Sequence, residues 1–128
     1  MEFITAEQFL KEDKEVQKVF IDWWKPSIGD LFKYNYGYSN IEIINLKSIK
    51  EDTEKSKYSA HIIPLLSEGQ LRKFIEDKVG TKYIELVYYS ETGYYIYVED
   101  LFFEDLGEDL LQAYWKVAVQ IAKGSIDN

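Results

Sequence analysis

Histidine is the side chain that most often moves protons or binds metals near neutral pH, and this sequence holds one, His61. It lies in the stretch Ala60-His61-Ile62-Ile63, and no G-x-S-x-G nucleophile elbow occurs in the chain. A catalytic histidine needs a matched partner at hydrogen-bonding distance. We therefore interpret His61 as a packed or edge side chain, and we predict no catalytic residue and no enzymatic activity.

The most distinctive polar feature is an acidic run near the C-terminus. Its members are Glu99, Asp100, Glu104, Asp105, Glu108 and Asp109. Carboxylates are preferred ligands of Mg²⁺ and Ca²⁺, but the spacing matches no EF-hand loop and Leu101-Phe102-Phe103 resembles core, so we predict no metal and no cofactor. The alternatives are a negative patch that imitates a phosphate backbone, a solvated segment beside a helix N-terminus, and a metal-dependent hydrolase.

Tyrosines form the second candidate feature, since 11 of the 128 residues are tyrosine. Strand alternation places Tyr89, Tyr95 and Tyr97 on one face of a late hairpin. Aromatic rings on a sheet stack nucleobases where a basic groove accompanies them. The neighbours here include Glu85 and Glu99. A structural role or a protein-binding surface is therefore the better interpretation of these rings.

Charge and cysteine content exclude several classes of function. The net charge is −8, and the segment between Lys82 and Lys116 holds eight acids and no base. Such a surface repels phosphate backbones and anionic lipids, so we expect neither nucleic-acid nor membrane binding. The chain has no cysteine, which excludes disulfides, a thiolate nucleophile and cysteine-ligated zinc. The first residues show no signal-peptide pattern, so we expect a cytoplasmic protein.

Three helices are predicted to position these features. The first covers residues 6–24, with Thr5 as its cap and a break at Asp13. Trp23 lies on its apolar stripe and is predicted to be core. Because adjacent helical residues point about 100° apart, Trp24 is predicted to be an exposed anchor or a lid over the Pro26 turn.

The other two helices are predicted from their caps. Ser67 begins the second one in a capping box and Gly80 ends it. Asp109 begins the third and Gly124 ends it.

Strands are predicted where β-branched and aromatic residues cluster between turn residues. They cover residues 31–38, 41–49, 58–65, 83–90 and 94–103. The last two form a hairpin in which Gly93 supplies a positive φ, and the polar residues 50–57 are predicted to be a loop. The fold class is therefore α+β: one domain over residues 1–128, with a mainly antiparallel sheet of four to five strands packed by three helices, in the order α-β-β-(β)-α-β-β-α.

Three segments resemble parts of small uncharacterised proteins encoded by phages and prophages of low-GC Gram-positive bacteria. They are residues 63–76 (IPLLSEGQLRKFIE), residues 110–120 (LLQAYWKVAVQ), and residues 23–26 (WWKP) followed by Gly29-Asp30. The resemblance spans most of the chain and is least distinctive at residues 50–57. It implies a phage accessory protein in the cytoplasm of a bacterial host, and it supplies no activity, ligand or catalytic residue.

Together these observations predict a non-enzymatic phage or prophage accessory protein that binds a host or phage protein, with inhibition as one form of that binding. The contact surface would be the acidic run, with Tyr89, Tyr95 and Tyr97 as anchors. The alternative is a protein that sequesters a small molecule or nucleotide in a tyrosine-lined pocket containing a lysine or arginine. Assembly into a homo-oligomer stays open.

Overall fold

The computed structural model describes residues 2–36 and 40–126. The chain forms two compact units: the first is Thr5–Leu66, and the second is Met1–Ile4 with Ser67–Asn128. Each unit combines helices with an antiparallel sheet of three strands, which confirms the α+β class. The prediction of one domain over residues 1–128 stays a prediction. No helix among the described residues has both the length and the apolar character needed to cross a bilayer.

The first unit places its central strand between two antiparallel neighbours. Its elements are α1 (Ala6–Leu10), α2 (Lys14–Trp23), β1 (Leu31–Tyr34), β2 (Glu42–Ile43), α3 (Lys47–Ser56) and β3 (Ile62–Leu65). The strand order is β2-β1-β3, and Leu31 of β1 lies opposite Ile43 and Leu65. All four residues of β3 are buried, so this strand forms the centre of the unit's core.

The second unit joins a helix pair to a sheet of order β4-β5-β6. Its elements are α4 (Glu68–Val79), β4 (Ile84–Tyr89), β5 (Gly93–Val98), β6 (Leu101–Phe103) and α5 (Leu110–Gly124). The predicted caps are confirmed: Ser67 and Gln70 form a capping box, Gly80 ends α4 with φ 80°, and Asp109 accepts from the Gln112 amide. Helix α5 is buried along most of its length and packs against α4 and β5.

The prediction of a single sheet of four to five strands with three helices was wrong in its details. Across residues 2–36 and 40–126 there are five helices and two sheets of three strands each. Apolar alternation identifies strands but carries no information on which distant strands pair. The strand predicted over residues 31–38 is shortened to β1 (Leu31–Tyr34), and residues 37–39 lie outside the described residues.

Residues 50–56 of the stretch predicted as a loop, together with residues 47–49 of the strand predicted over 41–49, form helix α3, so both predictions were wrong there. Thr53 of α3 is 4% exposed, and Lys57, the cap residue just beyond the helix, is 6% exposed. The Thr53 hydroxyl donates to the Ile49 carbonyl at 2.7 Å, and Lys57 Nζ donates to the Trp24 carbonyl at 2.8 Å. Because the buried stripe consists of a threonine and a lysine whose polar atoms are satisfied internally, hydrophobic periodicity could not reveal it.

The strand predicted over residues 94–103 is divided into β5 and β6 by a two-residue turn. Val98 pairs with Leu101, and Glu99 between them has φ 50°. Two-residue hairpin turns normally show glycine or asparagine at positive-φ positions. The dipeptide Glu99-Asp100 lacks this signal, and the turn was therefore missed.

The prediction that Trp23 is the core tryptophan was wrong, because the fully buried one is Trp24. Trp24 is 1% exposed, whereas Trp23 is only partly buried. Trp24 is the cap residue beyond α2, with extended φ and ψ, and its indole Nε1 donates to Asp30 Oδ2 at 3.0 Å. The chain leaves helical geometry at this residue, so the helical period no longer predicts its direction.

Gly93 is required where β5 begins. Its φ is 84°, as predicted, and a Cβ placed there would lie 2.3 Å from the Gly107 carbonyl oxygen. Gly93→Ala is expected to destabilise the protein by about 2–5 kcal/mol, because left-handed strain and a backbone overlap add together. Urea denaturation followed by circular dichroism measures this loss.

The matched control for this prediction is Gly80→Ala. Gly80 has nearly the same φ, 80°, but an added Cβ would meet nothing within 4 Å. Gly80→Ala should therefore lower the free energy of unfolding by about 1–2 kcal/mol, the cost of the left-handed conformation alone. Equal losses in the two variants would contradict the role of the Gly93–Gly107 contact.

Candidate interaction surface

The register of the second sheet gathers four of its aromatic residues, Tyr89, Tyr95, Tyr97 and Phe102, on one side. Glu85 and Phe102 flank Tyr97 in one row, and Val87 lies opposite Tyr95 in the next. We call the side formed by Glu85, Val87, Tyr89, Tyr95, Tyr97 and Phe102 the outer face. The side that carries Tyr88, Ile96 and Val98 is the inner face.

The rings of the outer face contact one another across the strands. Tyr89 and Tyr95 meet edge to face with ring centroids 5.5 Å apart, and Tyr95 stacks on Phe102 at 5.8 Å with an interplanar angle of 4°. Tyr97 and Phe102 are 4.8 Å apart. Cross-strand aromatic pairs of this kind contribute about 0.2–1 kcal/mol each to sheet stability. The rings therefore stabilise the sheet and also form one continuous aromatic surface.

The outer face remains accessible to solvent. Tyr89 is 58% exposed, Phe102 48% and Tyr97 38%, whereas Ile96 and Val98 on the inner face are fully buried. Leu101-Phe102-Phe103 was predicted to be core. That prediction was wrong for Leu101 and Phe102, which are exposed. A contiguous apolar surface on a folded chain is typical of an interaction site.

The acidic run lies around this sheet instead of forming a single cluster. Glu99 and Asp100 are exposed at the turn between β5 and β6. Glu104, Asp105 and Glu108 follow β6 in an exposed segment that returns along β5, where the Gly107 carbonyl accepts from the Tyr94 amide at 2.8 Å.

Two members of this region have structural roles. Asp109 Oδ1 accepts from the Gln112 amide at 2.9 Å and so begins α5. Lys116, the first base after the run, donates from Nζ to the Leu106 carbonyl at 3.3 Å. Among the described residues, no three histidine or carboxylate side chains converge to hold a metal ion.

The structure thus brings Tyr89, Tyr95 and Tyr97 together as predicted and adds Phe102. The acids of the run lie at the turn between β5 and β6 and in the segment after β6, and Glu85 lies on the outer face itself. Sequence reasoning could have found Phe102 once the turn at Glu99 was recognised, because alternation from Leu101 then places it beside Tyr97. No protein-family model, no curated protein and no solved structure matches the chain.

A hydrogen-bonded cluster in the first unit was not predicted. Lys18 Nζ lies 2.7 Å from Asp22 Oδ2, and the Tyr58 hydroxyl donates to Oδ1 of the same carboxylate. Burial opposes ionisation of the Asp22 carboxyl, but the hydrogen bonds from Lys18 and Tyr58 outweigh it and lower the pKa of Asp22. The same hydrogen bond raises the pKa of Tyr58 to about 12.

Asp22→Asn is expected to return the pKa of Tyr58 from about 12 toward its ordinary value of 10.0. In the wild type the Tyr58 contribution to stability is present below pH 10.0 and is lost as the pH rises to about 12. The Asp22 contribution is present above its ordinary pKa of 3.8 and is lost as the pH falls through the lowered value. Both contributions should disappear in the variant.

Nuclear magnetic resonance of ¹³Cζ-labelled tyrosine measures this titration directly. Tyr58→Phe identifies the resonance of Tyr58. An unchanged titration of Tyr58 in Asp22→Asn would contradict the proposed hydrogen bond.

Proposed function

We propose that this chain is a non-enzymatic protein that binds a basic protein surface through the outer face and the acids around it. The observation that supports the proposal is the exposure of Tyr89, Tyr97 and Phe102 on a hydrogen-bonded sheet. These rings lie within a segment that holds eight acids and no base. Aromatic anchors inside a charged rim are the usual arrangement of protein-binding surfaces.

The chemistry of the surface favours arginine on the partner. A guanidinium group can stack on a tyrosine ring through a cation–π contact and can pair with a nearby carboxylate at the same time. Glu85 lies opposite Tyr97, so a carboxylate and an aromatic ring stand side by side on the outer face. Tyrosine also supplies contact area at low entropic cost, because it has only two side-chain torsions.

Direct nucleic-acid binding is disfavoured by the same charges. The rings could stack bases, but neutralising the phosphates requires lysine or arginine, and none lies between Lys82 and Lys116. A basic protein surface that itself binds nucleic acid would fit the outer face. Occupying that surface would inhibit the partner, which agrees with the predicted accessory role in a phage or prophage acting in the bacterial cytoplasm.

The test is a comparison of three tagged baits in nuclease-treated lysates of infected and uninfected bacterial cells. The baits are the wild type, the double variant Tyr89→Ser/Tyr97→Ser, and the control Tyr88→Ser. Tyr88 precedes Tyr89 in β4, is 49% exposed and lies on the inner face. We expect a basic protein that the wild type and the control capture and the double variant does not. Equal capture by all three baits, or none by the wild type, would contradict the proposal.

The contribution of the acidic run to binding can be tested separately from that of the aromatic rings. Glu104→Lys/Glu108→Lys is the suitable charge reversal, because Asp109 caps α5 and Asp105 adopts φ 60°. Electrostatic steering acts mainly on association, so the association rate with the captured protein should fall by about tenfold at low salt. Analytical ultracentrifugation of the wild type at high concentration measures its self-association, and so shows whether the outer face binds a second copy of this chain instead of a different protein.

A further inference from the structure

A cleft of about 190 Å³ lies within the first unit, and its lining differs from the rest of this acidic protein. Its apolar part includes Phe9, Ile21 and Ile62, each at most 8% exposed. Its polar part includes Lys14, Lys18, Lys57 and His61, and no aspartate or glutamate is among its described lining residues. The chain as a whole has a net charge of −8, so a lining whose described residues include three lysines and no carboxylate needs an explanation.

Two of these cationic side chains already have partners. Lys18 is paired with Asp22 at 2.7 Å, and Lys57 donates to the Trp24 carbonyl at 2.8 Å. The side chains of Lys14 and His61 make no hydrogen bond or ion pair within residues 2–36 and 40–126, and the same is true of the side-chain carboxamide of Asn35, whose backbone N–H donates to the His61 carbonyl at 2.9 Å. Three polar groups at the cleft are therefore available to a ligand.

The backbone at His61 supports a ligand-binding role for this side chain. The Ile62 amide donates to the Lys57 carbonyl and the His61 amide to the Tyr58 carbonyl, both at 3.3 Å. This is the Schellman pattern that ends a helix, and its left-handed position is normally glycine. Here the position is occupied by His61, with φ 51°. A non-glycine residue in this region costs about 1–2 kcal/mol, and no hydrogen bond or ion pair of the imidazole within the described residues offsets that cost.

We infer that this cleft binds a small organic anion: an apolar ring packs against Phe9 and Ile62, and a phosphate or carboxylate accepts hydrogen bonds from Lys14, Asn35 and His61. Hydrogen bonds to an ionised group are stronger than neutral ones and would fix the orientation of the ring. The volume of about 190 Å³ limits the ligand to roughly one ring with its anionic substituent. The inference is independent of the outer face and of any protein partner.

The experiment is a titration of the ¹⁵N-labelled full chain at constant ionic strength with four probes: phenyl phosphate, benzoate, inorganic phosphate and phenol. We expect one of the two aromatic anions to shift the amide resonances of Asn35, His61 and Ile62. That anion should bind about tenfold more tightly than phenol, because one charge-assisted hydrogen bond contributes at least that factor. The tighter of phenyl phosphate and benzoate identifies the anionic group.

His61→Gly is the decisive variant, because it removes the imidazole while relieving the backbone. Its unfolding temperature should be equal to or above that of the wild type, and its affinity for the aromatic anion should fall by about tenfold. Lys14→Gln should also weaken binding, whereas Lys33→Gln, a lysine of β1 outside the cleft, should not. The inference is overturned if no probe binds, if phenol or inorganic phosphate binds as tightly as the aromatic anions, or if His61→Gly binds like the wild type.

Discussion

Replacing Trp24 with alanine is expected to lower the free energy of unfolding by about 3–5 kcal/mol, as is usual for a large buried aromatic residue. Trp24 is 1% exposed, its indole donates to Asp30 Oδ2 at 3.0 Å, and its carbonyl accepts from the buried Lys57 Nζ at 2.8 Å. The alanine variant leaves a cavity and removes a donor from a half-buried carboxylate. Burial already raises the pKa of Asp30 against the hydrogen bonds from Ser27 and Trp24.

Two further variants separate these contributions in urea denaturation. Trp24→Phe keeps most of the apolar contact and loses the indole donor, so its cost should be about 1–3 kcal/mol. Trp23→Ala changes the neighbouring tryptophan, which is only partly buried, and should cost less than half as much as Trp24→Ala. A larger loss for Trp23→Ala than for Trp24→Ala would contradict the assignment of Trp24 to the core.

Replacing Tyr95 and Phe102 together with serine is expected to weaken binding of the captured basic protein by about 100-fold or more. The two rings are stacked 5.8 Å apart at the centre of the outer face. Central aromatic residues are the usual hot spots of protein interfaces, and each contributes about 2 kcal/mol or more on truncation. Isothermal titration calorimetry with the purified partner measures the loss.

The control for this second prediction is Tyr88→Ser on the inner face of the same strand pair. It also removes a cross-strand aromatic contact, since the rings of Tyr88 and Tyr94 are 4.8 Å apart. Affinity should stay within about threefold of the wild type, because the side chain lies outside the proposed interface. Circular dichroism of both variants checks that the sheet still forms. Similar losses in the two variants would mean that sheet stability, and not contact with the partner, determines binding.

Local sequence signals predicted the parts of the fold that depend on local chemistry. Ser67 with Gln70 formed the expected capping box, and Gly80 and Gly93 adopted the expected positive φ. These features are set by hydrogen bonds and sterics within a few residues. Alternation likewise placed Tyr89, Tyr95 and Tyr97 on one face, since register within a hairpin follows from its turn.

The predictions that failed concern features that depend on the tertiary environment. Helix α3 was missed because the buried positions of the helix and its C-cap are Thr53 and Lys57, whose side chains donate to the carbonyls of Ile49 and Trp24. The cleft of the first unit could not be predicted, because its lining converges from α1, α2, β3 and the turn that ends α3. The exposure of the outer face could not be predicted from the sequence either, because alternation separates the two faces of a sheet without showing which one a helix covers.

The central claim, that the outer face contacts a basic protein, is tested most directly by photo-crosslinking. A benzophenone amino acid placed at Tyr97, on the outer face, and at Tyr88, on the inner face, changes one aromatic side chain for another and leaves the surrounding charges intact. We predict a covalent adduct with the captured protein from position 97 and none from position 88. An adduct from position 88 alone, or from neither position while binding persists, would show that the partner binds elsewhere on the chain.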